Sequence, residues 1–217
     1  MIEKEHLMRK ILYVLGLLAL VCAGNALAQG DPQKGQANYA VCVACHGQNG
    51  EGNQVLNSPS IAGQEYWYVV RQLKNFKEGL RGTDPKDLFG MQMRPMAMTL
   101  ATDADVENVA AYVSKMKPIK PESTLTGGNA EKGKTTYTTI CATCHGPEGK
   151  GLQAMNAPNN TIQQDWYLLR QLQNFKEGIR GTNPKDIFGM QMRPMAMTLA
   201  DEQAMKDVIA YIESLGK

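Results

Sequence analysis

The sequence predicts an all-α protein made of two tandem copies of one small helical unit, and three observations carry that reading. Displaced by 99 positions, the chain overlays itself: residues 67–101 match residues 166–200 at 29 of 35 positions, with mild differences such as Leu80 against Ile179 and Leu88 against Ile187. Apolar residues recur at helical spacing, and no segment sustains the alternation and hairpin turns of a strand. Each copy is also poor in core material, because only 6% of the 217 residues are aromatic. Short helices with few large rings bury too little apolar surface to hold without a staple such as a metal or a large ligand.

The elements follow in order along the chain. Lys4, Arg9 and Lys10 give a basic start, Ile11 to Val21 is an apolar run broken only by one Gly, and Ala26-Leu-Ala28 is a small-x-small cleavage pattern. This is the three-part secretory signal, which predicts export to the periplasm and removal of residues 1–28. The run is too short for a bilayer, which needs about 20 residues, so a retained anchor is the weaker reading. Val21 before Cys22 is too large for lipoprotein processing, so Cys22 belongs to the removed segment.

Residues 29–117 form the first expected domain. Asp31-Pro32 supplies an N-cap followed by a proline at the first helical position, and a short helix runs up to Cys42. A loop rich in Gly, Asn and Gln continues to Gly63. Val69, Val70, Leu73, Phe76 and Leu80 then sit at helical spacing, with Gly79 as a stop. The stretch Gly90 to Leu100 has no consistent period and reads as a loop containing a proline. Val106, Val109, Ala110 and Val113 mark a last helix. Residues 118–128 hold two glycines and prolines and read as an extended, surface-running linker. Residues 129–217 form the second domain, which repeats the pattern and ends on Met205, Val208, Ile209, Ile212 and Leu215. A period near 100 excludes a solenoid, whose repeats run about 20–50 residues.

The cysteines and histidines identify the staple. Cys42-Val-Ala-Cys45-His46 and Cys141-Ala-Thr-Cys144-His145 each have the Cys-x-x-Cys-His spacing that attaches c-type haem. The two thiols add to the porphyrin vinyl groups, and the adjacent histidine lies where it can bind the iron. Disulfides compete poorly, because neighbouring Cys-x-x-Cys pairs close tiny loops and stabilise little. A thioredoxin-like motif wants an alternating strand and helix pattern that is missing. Zinc would have to join motifs 99 residues apart. Two covalent haem c groups are therefore expected. Residues 29–217 retain only His46 and His145, so a second histidine ligand within the chain is excluded by arithmetic, and a methionine is the usual alternative. The candidates are Met91, Met93, Met96 and Met98 in the first copy, and Met190, Met192, Met195 and Met197 in the second. Most of these fill core gaps, as methionine does.

These motifs resemble the cytochrome c4 family, secreted dihaem cytochromes with two class I cytochrome c domains. The resemblance covers essentially all of 29–217. It rests on the paired attachment motifs, Ala62-Gly-Gln64 before a helix containing Gln72-Leu73, Met-x-x-Met before the final helix, and Asp105-Val-Glu-Asn-Val-Ala-Ala-Tyr112 within it. It implies three to four helices around each haem. It selects Met93 and Met192 as the axial methionines, with Met96 and Met195 next. It also implies that the carbonyls of Pro59 and Pro158 accept from the two histidines. From the family one expects an electron carrier, not an enzyme, that takes electrons from a membrane quinol-oxidising complex and passes them to a terminal haem–copper oxidase. Peripheral membrane association is compatible with that role. A dihaem peroxidase, or a haem subunit fixed to one dehydrogenase, are the competing readings; a peroxidase usually has a further histidine, which this chain lacks.

Composition narrows the partners. Formal net charge is +2, and removal of 1–28 leaves 20 basic and 19 acidic residues, so there is no basic excess for nucleic acid. Charge steering of redox partners is modest, and small-molecule substrates are not expected. The two identical methionine segments predict similar reduction potentials. Attachment has a direct consequence for the mature protein. Its intact mass should exceed that of chain 29–217 by two haems, and thiol titration should find Cys42, Cys45, Cys141 and Cys144 all consumed; a bare-chain mass or bound zinc contradicts the reading.

Overall fold

A computed structural model describes residues 30–119 and 122–216; the expected signal segment and Cys22 lie outside the described residues. Among the described residues there are helices and two isolated β-bridges, Asn53 with Ser58 and Leu152 with Ala157. The first unit comprises α1 (Pro32–Asn38), α2 (Val43–His46), α3 (Tyr66–Lys77), α4 (Leu88–Met98) and α5 (Asp103–Lys115). The second comprises α6 (Ala130–Thr136), α7 (Ala142–His145), α8 (Asp165–Lys176), α9 (Ile187–Met197) and α10 (Glu202–Leu215). Counted without the one-turn α2 and α7, each unit has four helices.

Local chemistry explains where the helices begin. Asp31 stays extended and its carboxylate accepts from the backbone N–H groups of Gln33 and Lys34, with Pro32 at the first helical position. Thr102 and Asp105 form a reciprocal capping box on α5. Asn129 caps α6 and Asp201 caps α10 through their side chains.

Each unit packs its last helix against its first. α1 crosses α5 so closely that a Cβ on Gly35 would lie 1.9 Å from the Asn108 carbonyl oxygen. Gly133 meets the Asp207 carbonyl oxygen at the same 1.9 Å where α6 crosses α10. The first core gathers Tyr39, Leu73, Phe76, Leu100, Val106, Val109 and Val113; the second gathers Tyr137, Leu168, Leu169, Leu199, Met205, Val208, Ile209 and Ile212. Of the residues that the helical spacing singled out, Leu73, Phe76, Val106, Val109, Val113, Met205, Val208, Ile209 and Ile212 lie in these cores, Val69, Val70 and Leu215 pack half-buried against them, and Leu80 falls beyond the end of α3.

One sequence expectation is corrected. The stretch Gly90 to Leu100 is mostly helix, not loop, with Pro95 inside α4. Asp87 starts it by accepting from the Gly90 N–H at 3.0 Å. Gly90 and Ala97 are the buried residues of α4, with Phe89, Met93 and Arg94 half-buried, and the two buried ones are too small to register as a hydrophobic period. Pro95 has no N–H for the Met91 carbonyl, and Met91 is exposed, so water can serve that group.

The units also differ by one residue that no motif revealed. Three positions separate Tyr39 from Cys42 but four separate Tyr137 from Cys141. The first segment is a 3₁₀ turn, Tyr39–Val41, and the second a π turn, Tyr137–Cys141. A π turn is the way a helix absorbs one inserted residue. Both tyrosines end in the same place, donating to the carbonyls of Gly47 and Gly146 at 2.8 Å.

The segment between the units is exposed along most of its length but tethered. Thr124 and Leu125 donate their N–H groups to the fully buried Asp165 carboxylate at the start of α8. The helix crossings give a test. Gly35→Ala should destabilise the first unit and Gly133→Ala the second, each by about 1–3 kcal/mol as overpacking does. Thermal unfolding of the holoprotein followed by circular dichroism should then show one early step; an unshifted curve contradicts the close crossing.

Candidate haem sites

The attachment motif lies on one helical turn in each unit, so its cysteines and histidine are brought together by local structure alone. Cys42, Cys45, Cys141 and Cys144 form no disulfide with one another, and each is half-buried. Burial and the neighbouring Cys45 push the Cys42 thiol up to about 11, and burial with Cys144 does the same for Cys141, to about 11. These are neutral thiols, unlike the low-pKa pairs of disulfide exchange. His46 and His145 end α2 and α7 and are 7% and 9% exposed. Desolvation holds both below the ordinary imidazole range, against the opposing effect of their carbonyl partners. They are neutral at physiological pH, the form that binds a metal.

The orientation of each ring is fixed from behind. His46 Nδ1 lies 2.8 Å from the Pro59 carbonyl oxygen, and His145 Nδ1 lies 3.1 Å from that of Pro158. With Nδ1–H donating, Nε2 is the nitrogen left for iron. The carbonyls come from a tight loop. Gly52 N–H returns to the His46 carbonyl at 2.8 Å, the Asn53–Ser58 bridge closes the loop, and Ile61 N–H bonds Gly50. Gly52 has φ +82, and a Cβ there would lie 2.5 Å from the Ser60 nitrogen, so glycine is required.

The methionines divide by exposure. Met93 is half-buried and packs against the first core together with Cys42 and Val43, whereas Met91, Met96 and Met98 are 45%, 40% and 54% exposed. In the second unit Met192 is half-buried, while Met190, Met195 and Met197 are exposed, so the expectation that most of these methionines fill core gaps is corrected: six of the eight lie at the surface.

Sequence reasoning missed the contact between the units, which is two-fold in pattern. Arg170 of α8 donates to Asn57 Oδ1 and its carbonyl, both at 2.9 Å; Arg71 of α3 donates to Asn156 Oδ1 at 3.1 Å and its carbonyl at 2.9 Å. Asn57 and Asn156 both take the left-handed conformation, at φ 56 and 53, which turns the carbonyl toward the arginine. The same guanidiniums stack on Phe89 and Phe188 across the interface, 4.5 and 4.6 Å from the ring centres. Ser60 N–H donates to Gln164 at 2.7 Å, and Gln163 donates to the Ser60 carbonyl at 3.0 Å. Asn159 and the pair Gln64-Glu65 repeat this in the other direction. Each histidine's proline is thus flanked by residues that the opposite unit holds. The signal was present in the repeat, as Arg71 and Gln64 recur at Arg170 and Gln163, but no motif gives such residues a role.

Deeper in the same interface lie Arg81 and Arg180. Arg81 donates to Gln72 and Gln171 at 2.7 and 3.2 Å, and Arg180 to Gln171 and Gln72 at 2.6 and 2.9 Å. Both are buried, both keep an unpartnered Nε, and among the described residues neither forms an ion pair.

Comparison with known proteins agrees with this architecture. The family Cytochrome c matches residues 32–117 and again 130–216. Cytochrome c4 of Stutzerimonas stutzeri is 34% identical over 220 residues, covering 96% of this chain and 100% of that protein. This chain belongs to the cytochrome c4 family. The crystal structure of reduced recombinant cytochrome c4 from Pseudomonas stutzeri is similar at TM-score 0.67 and 30% identity, over 85% of this chain and 98% of that one. A further relative, the thiosulfate dehydrogenase electron acceptor of Thiomonas intermedia, is 32% identical over 94% of this chain and 91% of its own.

A cytochrome c4 carries two covalently attached haem c groups and transfers electrons, and so does this chain. The residues fit that cofactor. Each unit sets two neutral thiols on the same helical turn as a neutral, oriented histidine, and two buried guanidiniums that form no ion pair among the described residues suit a ligand that brings carboxylates of its own. The interface makes a prediction. In the double variant Arg71→Ala with Arg170→Ala, hydrogen exchange in segments 53–60 and 152–159 should rise at least tenfold, equivalent to about 1.4 kcal/mol, with both units still folded. Unchanged exchange contradicts the clamp.

Proposed function

We propose that this chain is a periplasmic dihaem electron carrier in which His46 and Met93 hold one iron and His145 and Met192 the other, with thioethers from Cys42, Cys45, Cys141 and Cys144. The exposure of the methionines carries the reading: Met93 and Met192 are the half-buried members of their clusters, and Met93 packs against the same core as Cys42. With both axial positions taken by protein, an iron offers no site to oxygen or peroxide, so the chain is read as a carrier and not an enzyme. Thioether ligation favours the ferrous state and raises the potential. Pro59 and Pro158 hold the proximal rings, so little moves when an electron arrives.

In this reading residues 1–28 are an export signal removed from the mature protein. Among the described residues no helix is long and apolar enough to cross a membrane. The donor is a membrane quinol-oxidising complex and the acceptor a haem–copper oxidase, met through small, weak interfaces. The relative named as a thiosulfate dehydrogenase electron acceptor favours a second donor class, a dehydrogenase. Stopped-flow reduction separates them: a quinol-oxidising membrane preparation should reduce the protein, and an oxidase preparation should reoxidise it. Copurification as a fixed dehydrogenase subunit contradicts the free carrier.

The ligand assignment has its own test. Met93→Ala should halve the long-wavelength thioether-to-iron band and lower one potential, whereas Met91→Ala, Met96→Ala or Met98→Ala should keep the band. If Met96→Ala halves it instead, Met96 is the ligand, and Met195 takes the place of Met192 by the repeat.

A further inference from the structure

The loops behind the two motif histidines keep the same backbone hydrogen bonds but diverge in side chains, and one of those differences reaches a histidine ring. Ile61 and Asn160 are equivalent by the repeat, and their backbones match: each N–H bonds a loop glycine, Gly50 at 2.9 Å and Gly149 at 3.0 Å. Their side chains differ in kind. Ile61 packs into the first core, and among the described residues His46 Nδ1 has the Pro59 carbonyl as its one hydrogen-bond partner. The Asn160 amide instead reaches His145 Nδ1, with Nδ2 at 3.0 Å, beside the Pro158 carbonyl at 3.1 Å.

A histidine that binds iron through Nε2 carries its proton on Nδ1, and two donors cannot face each other. An asparagine amide turns over without changing shape, so Oδ1 is the atom that belongs against the ring. His145 Nδ1–H then donates to two oxygens at once. Electrostatic energy falls only as the inverse of distance, so two amide oxygens near 3.0 and 3.1 Å outweigh one at 2.8 Å. Acceptors behind the ring raise the basicity of its iron-binding nitrogen and favour the ferric state.

We propose that Asn160 is a positioning residue that lowers the reduction potential of the second haem relative to the first, through its contact with His145. The proposal deepens the ligation set out above and rests on His145 as an iron ligand. It replaces the expectation of similar potentials, which followed from the identical methionine segments, with a directed split. Electrons then favour the first haem at equilibrium, in a chain whose distal segments would otherwise make the two centres equivalent.

The test is a potentiometric titration of the holoprotein, followed by the visible spectrum, on variants that act in opposite directions. Asn160→Ile copies the first unit and should move one midpoint up while the other stays. Asn160→Asp keeps the shape, adds negative charge behind the ring and should move that same midpoint down. Ile61→Asn should lower the other midpoint. A packing role alone would not reverse sign between Ile and Asp. If both Asn160 variants leave the midpoints in place or shift them the same way, with the thioether band intact, the proposal is overturned while the ligation stands. Asn160→Leu repeats the apolar arm should Asn160→Ile fold poorly, with the same upward shift expected. If His145→Ala retains a normal low-spin second haem, the ligation reading itself fails, and the proposal with it.

Discussion

The hydrogen bond from each histidine to a proline carbonyl is the constraint on which the rest depends. A Cys-x-x-Cys-His turn brings two thiols and an imidazole together, but a ring on a one-turn helix can rotate. The Pro59 and Pro158 carbonyls, at 2.8 and 3.1 Å, fix the tautomer and the plane, which leaves one ring nitrogen available to a metal. Proline suits the place, since it has no N–H of its own to satisfy and its φ is fixed. The glycines of the preceding loop exist to bring that carbonyl back to the histidine thirteen residues away.

What holds the loop is the other half of the molecule. The residues on either side of Pro59 are held by Arg170, Gln163 and Gln164, and those around Pro158 by Arg71, Gln64 and Glu65. A duplicated unit meeting its copy in a two-fold pattern makes such contacts in pairs, as in an isologous dimer. The duplication therefore does more than double the number of haems. Each unit completes the support of the loop behind its partner's motif histidine, so ordering at one site is linked through the interface to the other.

Much of this was legible in the sequence. The repeat, the attachment motifs and the last helix of each unit follow from residue types at fixed spacing, and Val106, Val109 and Val113 are buried as their period requires. The helix α4 was not legible, because its inward stripe is built from Gly90 and Ala97 and is hidden among exposed methionines. Nor was the register change before Cys141, since a single inserted residue disappears into a π turn. The interface escaped for a different reason. Arg71 and Asn156 lie 85 positions apart and meet only once both units are folded. The contrast between Ile61 and Asn160 falls in the least similar part of the repeat, where it reads as ordinary loop divergence until the distance to His145 is known.

The central claim is that each of two covalently held irons has a histidine on one side and a methionine on the other. The electron paramagnetic resonance spectrum of the oxidised protein tests it most directly. Two low-spin ferric signals, together integrating to two spins per chain with no high-spin component, are the predicted result. A high-spin signal near half of the total iron, accompanied by peroxide turnover, would mean that one iron has an open position and would contradict the account.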